Sequence, residues 1–159
     1  MASPFQWVDD PAAAGLTRGG VVLSCFPSAG LAATVAAHYM VQVLELPRVG
    51  VLDSEDSLPL AIIQRNRVQP PIRVYGKGGL ALVLSEFPPT TSAARPIADA
   101  ILDGAQRLGA RLVLAVDGVV PHPTIEAAEA VAALPEEAVW AICAQDDPEI
   151  TAQFQRARA

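Results

Sequence analysis

Seven short apolar runs, each bounded by turn residues, divide the chain: Val21–Phe26, Val49–Leu52, Ala61–Gln64, Ile72–Tyr75, Leu80–Glu86, Leu112–Asp117 and Ala138–Cys143. Several are continuously apolar rather than alternating, which predicts strands covered on both faces. Gly76-Lys77-Gly78-Gly79 stands between two of these runs and reads as a hairpin. The expected sheet is therefore mixed and mostly parallel, with helical crossovers and one antiparallel hairpin.

Helical segments fill the gaps between runs. Residues 29–45 are rich in small residues and stop at Pro47. Thr90-Thr91-Ser92 offer N-caps for a helix that closes near Leu108-Gly109. In that helix Ile97, Ile101, Ala105 and Leu108 share one face, while Asp99, Asp103 and Arg107 face water. Pro96 is expected in its first turn, where a missing N–H costs little. Residues 124–134 read as a third helix, and Pro148 opens a fourth. Residues 1–19 read as an irregular lead-in to a single α/β domain over 20–159.

At 159 residues the chain is long enough for one domain with a real core. Its hydrophobic fraction of 52% comes mostly from Ala, Val and Leu, which suits buried strands, small-residue helices and a subunit contact. The net charge is −6 and the eleven basic residues are scattered, so no clustered positive face offers itself to nucleic acid. Cys25 and Cys143 lie in apolar runs and read as buried thiols. The N-terminal stretch lacks the apolar core of a signal peptide. Pro27 and several polar residues interrupt the uncharged stretch 19–44, so it does not read as a membrane span. A soluble cytoplasmic protein is expected.

Chemistry is sought at two loops, because ligands of open α/β sheets sit beyond the carboxyl ends of the strands. The first, Phe26-Pro27-Ser28-Ala29-Gly30, joins a strand to a helix but matches neither phosphate-binding glycine motif and has no following Lys. The second, Ser85-Glu86-Phe87-Pro88-Pro89-Thr90-Thr91, also links strand to helix. Should the strands be neighbours, Phe26, Pro27, Ser28, Gly30, Ser85 and Glu86 form a pocket rim, joined by Asp53 and Asp117 after their own strands. No nucleophile elbow is present. His38 and His122 are far apart and give no metal shell. No catalytic residue, metal or cofactor is expected.

In their order along the chain, these features resemble the proteasome assembly chaperone 2 family in its archaeal and bacterial branch. The carrying stretches are Cys25-Phe26-Pro27-Ser28-Ala29-Gly30 before a small-residue helix, Asp53 after the second strand, and Pro70-Pro71-Ile72-Arg73-Val74-Tyr75. Ser85-Glu86-Phe87-Pro88 before a long helix, Leu112 to Asp117-Gly118, and Val139 to Asp146 complete the set. Cys25 and Ser28 stand where the family loop has glycines. The resemblance spans residues 21–155. It implies a three-layer α/β/α fold with a nucleoside-phosphorylase-like core, and a role in binding other proteins. Members of the family usually run longer, and proteasome-linked ones end in a hydrophobic-Tyr-x tail that Arg156-Ala157-Arg158-Ala159 does not provide.

Two readings of function follow. One is a non-enzymatic scaffold or assembly chaperone that acts as a homo-oligomer, with itself and other proteins as partners and no nucleic acid or membrane. The other is a small-ligand binder or enzyme that uses the strand-end rim.

Overall fold

The computed structural model describes residues 4–54, 60–64 and 66–117. The chain divides into two units, Met1–Val119 and Val120–Ala159, and the described residues lie in the first. The strand at 138–143 and the helices at 124–134 and after Pro148 lie outside them.

The elements in chain order are β1 (Gln6–Asp9), a 3-10 turn (Pro11–Gly15), β2 (Leu16–Cys25), a second 3-10 turn (Ala29–Leu31) and α1 (Ala32–Val43). They continue with β3 (Arg48–Asp53), β4 (Ile62–Gln64), β5 (Arg67–Gln69), β6 (Ile72–Ser85), α2 (Thr91–Arg107) and β7 (Leu112–Ala115). The main sheet has the order β1-β3-β6-β2-β7, and β4 and β5 form a separate antiparallel pair.

The long β6 doubles back on itself at the expected hairpin. A Cβ placed on Gly76 would stand 2.6 Å from the Leu80 carbonyl oxygen and 3.2 Å from the Ala81 Cα. In a straight strand residues four or five apart are separated by about 13–17 Å. Gly78 supplies a left-handed φ of +58° in the reversal. β3 is antiparallel to the first limb of β6, β2 is parallel to the second limb, and β7 is parallel to β2. Thus β3, the second limb of β6, β2 and β7 all run the same way, and their carboxyl ends share one edge of the sheet.

Helices cover both faces. On one, Val22, Ala81 and Val83 pack with Ile97, Ala100, Ile101 and Ala105 of α2. On the other, Cys25, Leu82 and Leu84 pack with Ala33 and Ala37 of α1. Alternate residues of one strand thus feed opposite cores, which gives the three-layer arrangement. Burial of each Val or Leu here is worth about 1.5–3 kcal/mol, and the near-complete burial of Ala33 and Ala37 lets α1 lie close on the sheet.

Three local expectations change. Residues 6–9, read as irregular, form edge strand β1, with Phe5 and Trp7 buried beneath α2. Only alternate residues of this stretch are buried, and four residues with acids and prolines after them carry too short an alternation to stand out. The helix expected from residue 29 begins at Ala32, because Gly30 (φ +75°) and Leu31 (φ +55°) are left-handed and break the helical path. Pro96 lies in the interior of α2, beyond its first turn: Thr90 is the N-cap and its hydroxyl accepts from the Ala93 N–H at 3.3 Å, so the helix starts early.

Candidate functional site

The two loops singled out in the sequence lie side by side at the carboxyl edge of the sheet. The residues expected there meet on opposite faces rather than in one pocket. Phe26 is half-buried against the α2-side core and joins Phe5, Ile72, Ser85, Phe87 and Ile97 around a small cavity of about 60 Å³. Its lining is mostly apolar and includes Pro71, Pro88 and Pro89, with Ser85 and Thr90 as its hydroxyl residues.

Ser85 is fully buried, and its hydroxyl is committed. Its Oγ donates to the Phe87 carbonyl at 2.9 Å and accepts from the Phe87 N–H at 3.1 Å. Such a local side-chain turn stiffens the entry to Phe87-Pro88-Pro89. A nucleophilic serine needs its proton directed at a base, and this one is directed at a carbonyl.

Glu86 points to the other face, where an ion cluster forms. Arg73 is completely buried, and its Nη2 is paired with Glu86 Oε1. The Arg73 Nε donates to the Tyr75 hydroxyl at 3.1 Å, and Nη1 donates to the Pro70 carbonyl at 3.1 Å. His38 of α1 places its Nε2 3.3 Å from the same Glu86 oxygen. A buried guanidinium requires this degree of pairing, since an unpaired buried charge is strongly destabilising. The cluster therefore clamps the open ends of the β6 hairpin to each other and to α1. The only signal for it in the sequence is one charged residue, Arg73, at an alternating position between Ile72 and Val74.

The remaining rim residues do not converge. Ser28 closes a turn in which its carbonyl accepts from the Leu31 N–H at 3.0 Å, with Gly30 at the left-handed position and Pro27 half-buried before it. Asp53 is exposed, and its Oδ1 accepts from the Ser54 N–H at 3.0 Å. Asp117 is exposed beyond β7. With both limbs of β6 and then β2 between β3 and β7, Asp53 and Asp117 are about 19 Å apart by strand spacing alone. Among the described residues no group of three His, Cys, Asp or Glu is placed to hold a metal ion. Cys25 is buried against α1, and desolvation pushes its thiol up from 9.0 to about 11, which keeps it protonated and unreactive near neutrality.

The described residues form a three-layer α/β/α arrangement with a proline-bounded loop at the carboxyl edge of its sheet. The profile of the PAC2 family matches residues 22–156, and the chain belongs to that family. It is similar in fold to PbaA of Pyrococcus furiosus, an archaeal homolog of proteasome-assembly chaperone, with TM-score 0.66 and 21% identity over 77% of this chain and 50% of that one. PbaB of the same organism, an archaeal proteasome activator, aligns with TM-score 0.59 and 22% identity over 77% of this chain and 55% of that one. A protein of unknown function from Thermoplasma acidophilum aligns with TM-score 0.58 and 20% identity over 89% of this chain and 64% of that one. The chain thus spans about half to two-thirds of the length of these relatives. No curated protein matches it. Among the described residues no helix is long and apolar enough to cross a membrane.

Proposed function

We propose that the chain is a non-enzymatic protein-binding scaffold of the assembly-chaperone kind, acting in the cytoplasm as a homo-oligomer. The observation that carries this reading is large apolar side chains left in solvent on two separate elements. Leu31, Val35, Tyr39 and Val43 are exposed along α1, and Ile63 and Val68 face solvent as a cross-strand pair of the β4–β5 hairpin. Patches of this kind mark protein contact sites. PbaA and PbaB are described as a proteasome-assembly chaperone homolog and a proteasome activator; proteasome subunits are accordingly the first partners to test.

The strand-end rim supports ligand chemistry less well. Its buried hydroxyl and its carboxylate are occupied by Phe87 and Arg73, and the cavity beside them is small and apolar. Titration calorimetry with ATP, with GTP and with inorganic phosphate should be flat. The companion measurement is sedimentation of the chain alone and with proteasome subunits from its own cell. Self-association or a stable complex supports the scaffold. A monomer that takes up a nucleotide saturably below about 100 μM, roughly −5.5 kcal/mol, would transfer the assignment to the rim.

A further inference from the structure

Charge is sorted along the amino edge of the main sheet, opposite the two loops described above. Here β1 ends, and β3, the second limb of β6, β2 and β7 begin. Towards β1 the charges are matched: Arg48 pairs with Asp10 at 2.7 Å, and Arg107 lies 3.9 Å from Asp9. Towards β7 they are not. Arg18, Lys77 and Arg111 are exposed, and among the described residues none of the three has an ion pair or a side-chain hydrogen bond. Arg67 and Arg95 are unpaired too but stand apart, on β5 and near the start of α2.

We propose that this corner of the sheet binds an acidic segment of a partner protein, with carboxylates facing Arg18, Lys77 and Arg111. The inference deepens the scaffold reading above and rests on it. Three observations carry it. The first is the backbone, which is built to gather these residues. Leu16 pairs with Gly78 and Val21 with Leu80, so β2 takes five steps where β6 takes two, and Thr17-Arg18-Gly19-Gly20 bulges from the ladder. Gly19 is left-handed, and a Cβ on Gly20 would collide with the Gly79 carbonyl oxygen. The Gly19 N–H donates to the Gly109 carbonyl and the Arg111 N–H to the Gly20 carbonyl, each at 2.9 Å, which ties the bulge to the residues before β7. A Cβ on Gly109 would stand 3.3 Å from Arg18 Nε and Nη2, so the guanidinium is laid against that turn.

The second is charge. β2 lies between the other two strands, so the three strand ends span about 10 Å. Like charges gathered at that separation repel, and an opposite charge from a partner offsets the cost. The acids that border the corner, Glu45 before β3 and Asp103 on α2, are exposed and pair with none of the three. The third is shape. The crevice between Thr17, Gly79 and Leu108 measures only about 10 Å³, room for about one water. A small-molecule site encloses most of its ligand, whereas an extended chain lies across an open edge. Alternate side chains of such a chain project about 7 Å apart on one side, so two or three of its acids reach all three cations. Three cations are also too small a positive face for nucleic acid.

The test uses the full chain in three forms: unaltered, the triple variant Arg18→Gln, Lys77→Gln and Arg111→Gln, and a control, Arg67→Gln with Arg95→Gln. Circular dichroism confirms that each form is folded. Fluorescence anisotropy reads the binding of a labelled peptide of alternating Glu and Ser, and of its counterpart with Gln for Glu. The unaltered chain and the control should bind the Glu peptide alike, saturably below about 1 mM, and the Gln peptide at least roughly tenfold more weakly. The triple variant should lose about tenfold in affinity for the Glu peptide, and raising salt from about 50 to about 200 mM should weaken binding by the unaltered chain. Equal binding of the two peptides, or equal binding by the triple variant and the unaltered chain, refutes the site. So does inorganic tripolyphosphate binding where the Glu peptide does not, which makes the corner a small-anion site. If the Glu peptide fails to bind while the chain forms complexes in sedimentation, the corner is refuted and the scaffold reading stands. A chain inert in both assays removes both.

Discussion

Gly104 of α2 is the most sensitive reporter of how the N-terminal strand is built into the domain. It lies over the indole of Trp7, and a Cβ added there would stand 2.6 Å from Cδ2 and 2.8 Å from Cζ3 of that ring. Carbon atoms rest about 3.5–4.0 Å apart, so the ring must retreat by roughly 1 Å or more. Trp7 is itself buried, among Phe5, Val49, Ile101 and their neighbours, and has little room to move. Gly104→Ala therefore sets two terms against each other. The helix gains about 1 kcal/mol from the better helix former, and forced repacking costs about 1–3 kcal/mol or somewhat more where the ring is pinned. The main-chain carbonyl of Trp7 also accepts from Arg107 Nη2 at 2.9 Å, so a shift of β1 strains that bond as well. The net expectation is a loss of about 1–2 kcal/mol, seen in urea unfolding as a lower midpoint with an unchanged slope. The decisive assay is a double-mutant cycle with Trp7→Ala. In that background the clash is gone, and Gly104→Ala should turn stabilising by about 1 kcal/mol. If Gly104→Ala stabilises the unaltered chain, or costs the same with and without the indole, then β1 does not pack beneath α2 as described.

Other substitutions probe the carboxyl edge. Gly30→Ala should lose about 1 kcal/mol through its backbone alone, because φ is +75° and no atom lies within 4 Å of the new Cβ; an unchanged thermal midpoint would show that the turn is relaxed. Glu86→Gln leaves the buried Arg73 without its counter-charge and should cost about 2–4 kcal/mol in denaturant unfolding, against less than about 0.5 kcal/mol for Asp53→Asn; equal losses would contradict the clamp. Cys25 should resist alkylation at pH 8 until the chain is unfolded, with the labelled peptide identified by mass spectrometry. Its raised thiol also predicts a loss of stability as pH rises from about 9 to about 11, because over that range the unfolded chain releases a proton that the native one holds. Cys25→Ala should lack that component of the alkaline decline.

Among the described residues, local patterns were enough to reveal most of the main sheet and the helices α1 and α2. The runs at Val21–Phe26, Ile72–Tyr75 and Leu80–Glu86 are mostly apolar because helical layers cover the sheet on both faces, and Gly76 and Gly78 mark the reversal, the one because a Cβ would meet the facing limb and the other through its left-handed φ. The order of these features along the chain was sufficient to place it in its family. What the pattern could not supply depends on neighbours remote in sequence. Strand β1 exists because its few residues find an edge in β3 and a helix above Trp7, and neither partner is visible from residues 6–9. Ser85 and Glu86 are adjacent in sequence, yet strand alternation sends one to an apolar cavity and the other to a buried arginine. So the rim seen as one candidate site is divided between the two faces of the sheet. Arg73 looks like any charged residue in a strand until the hairpin brings it beside Glu86 and α1 brings His38. Periodicity states which face of an element is apolar; only the packed structure states which apolar face has been left uncovered, as on α1, because that depends on what the rest of the chain has put beside it.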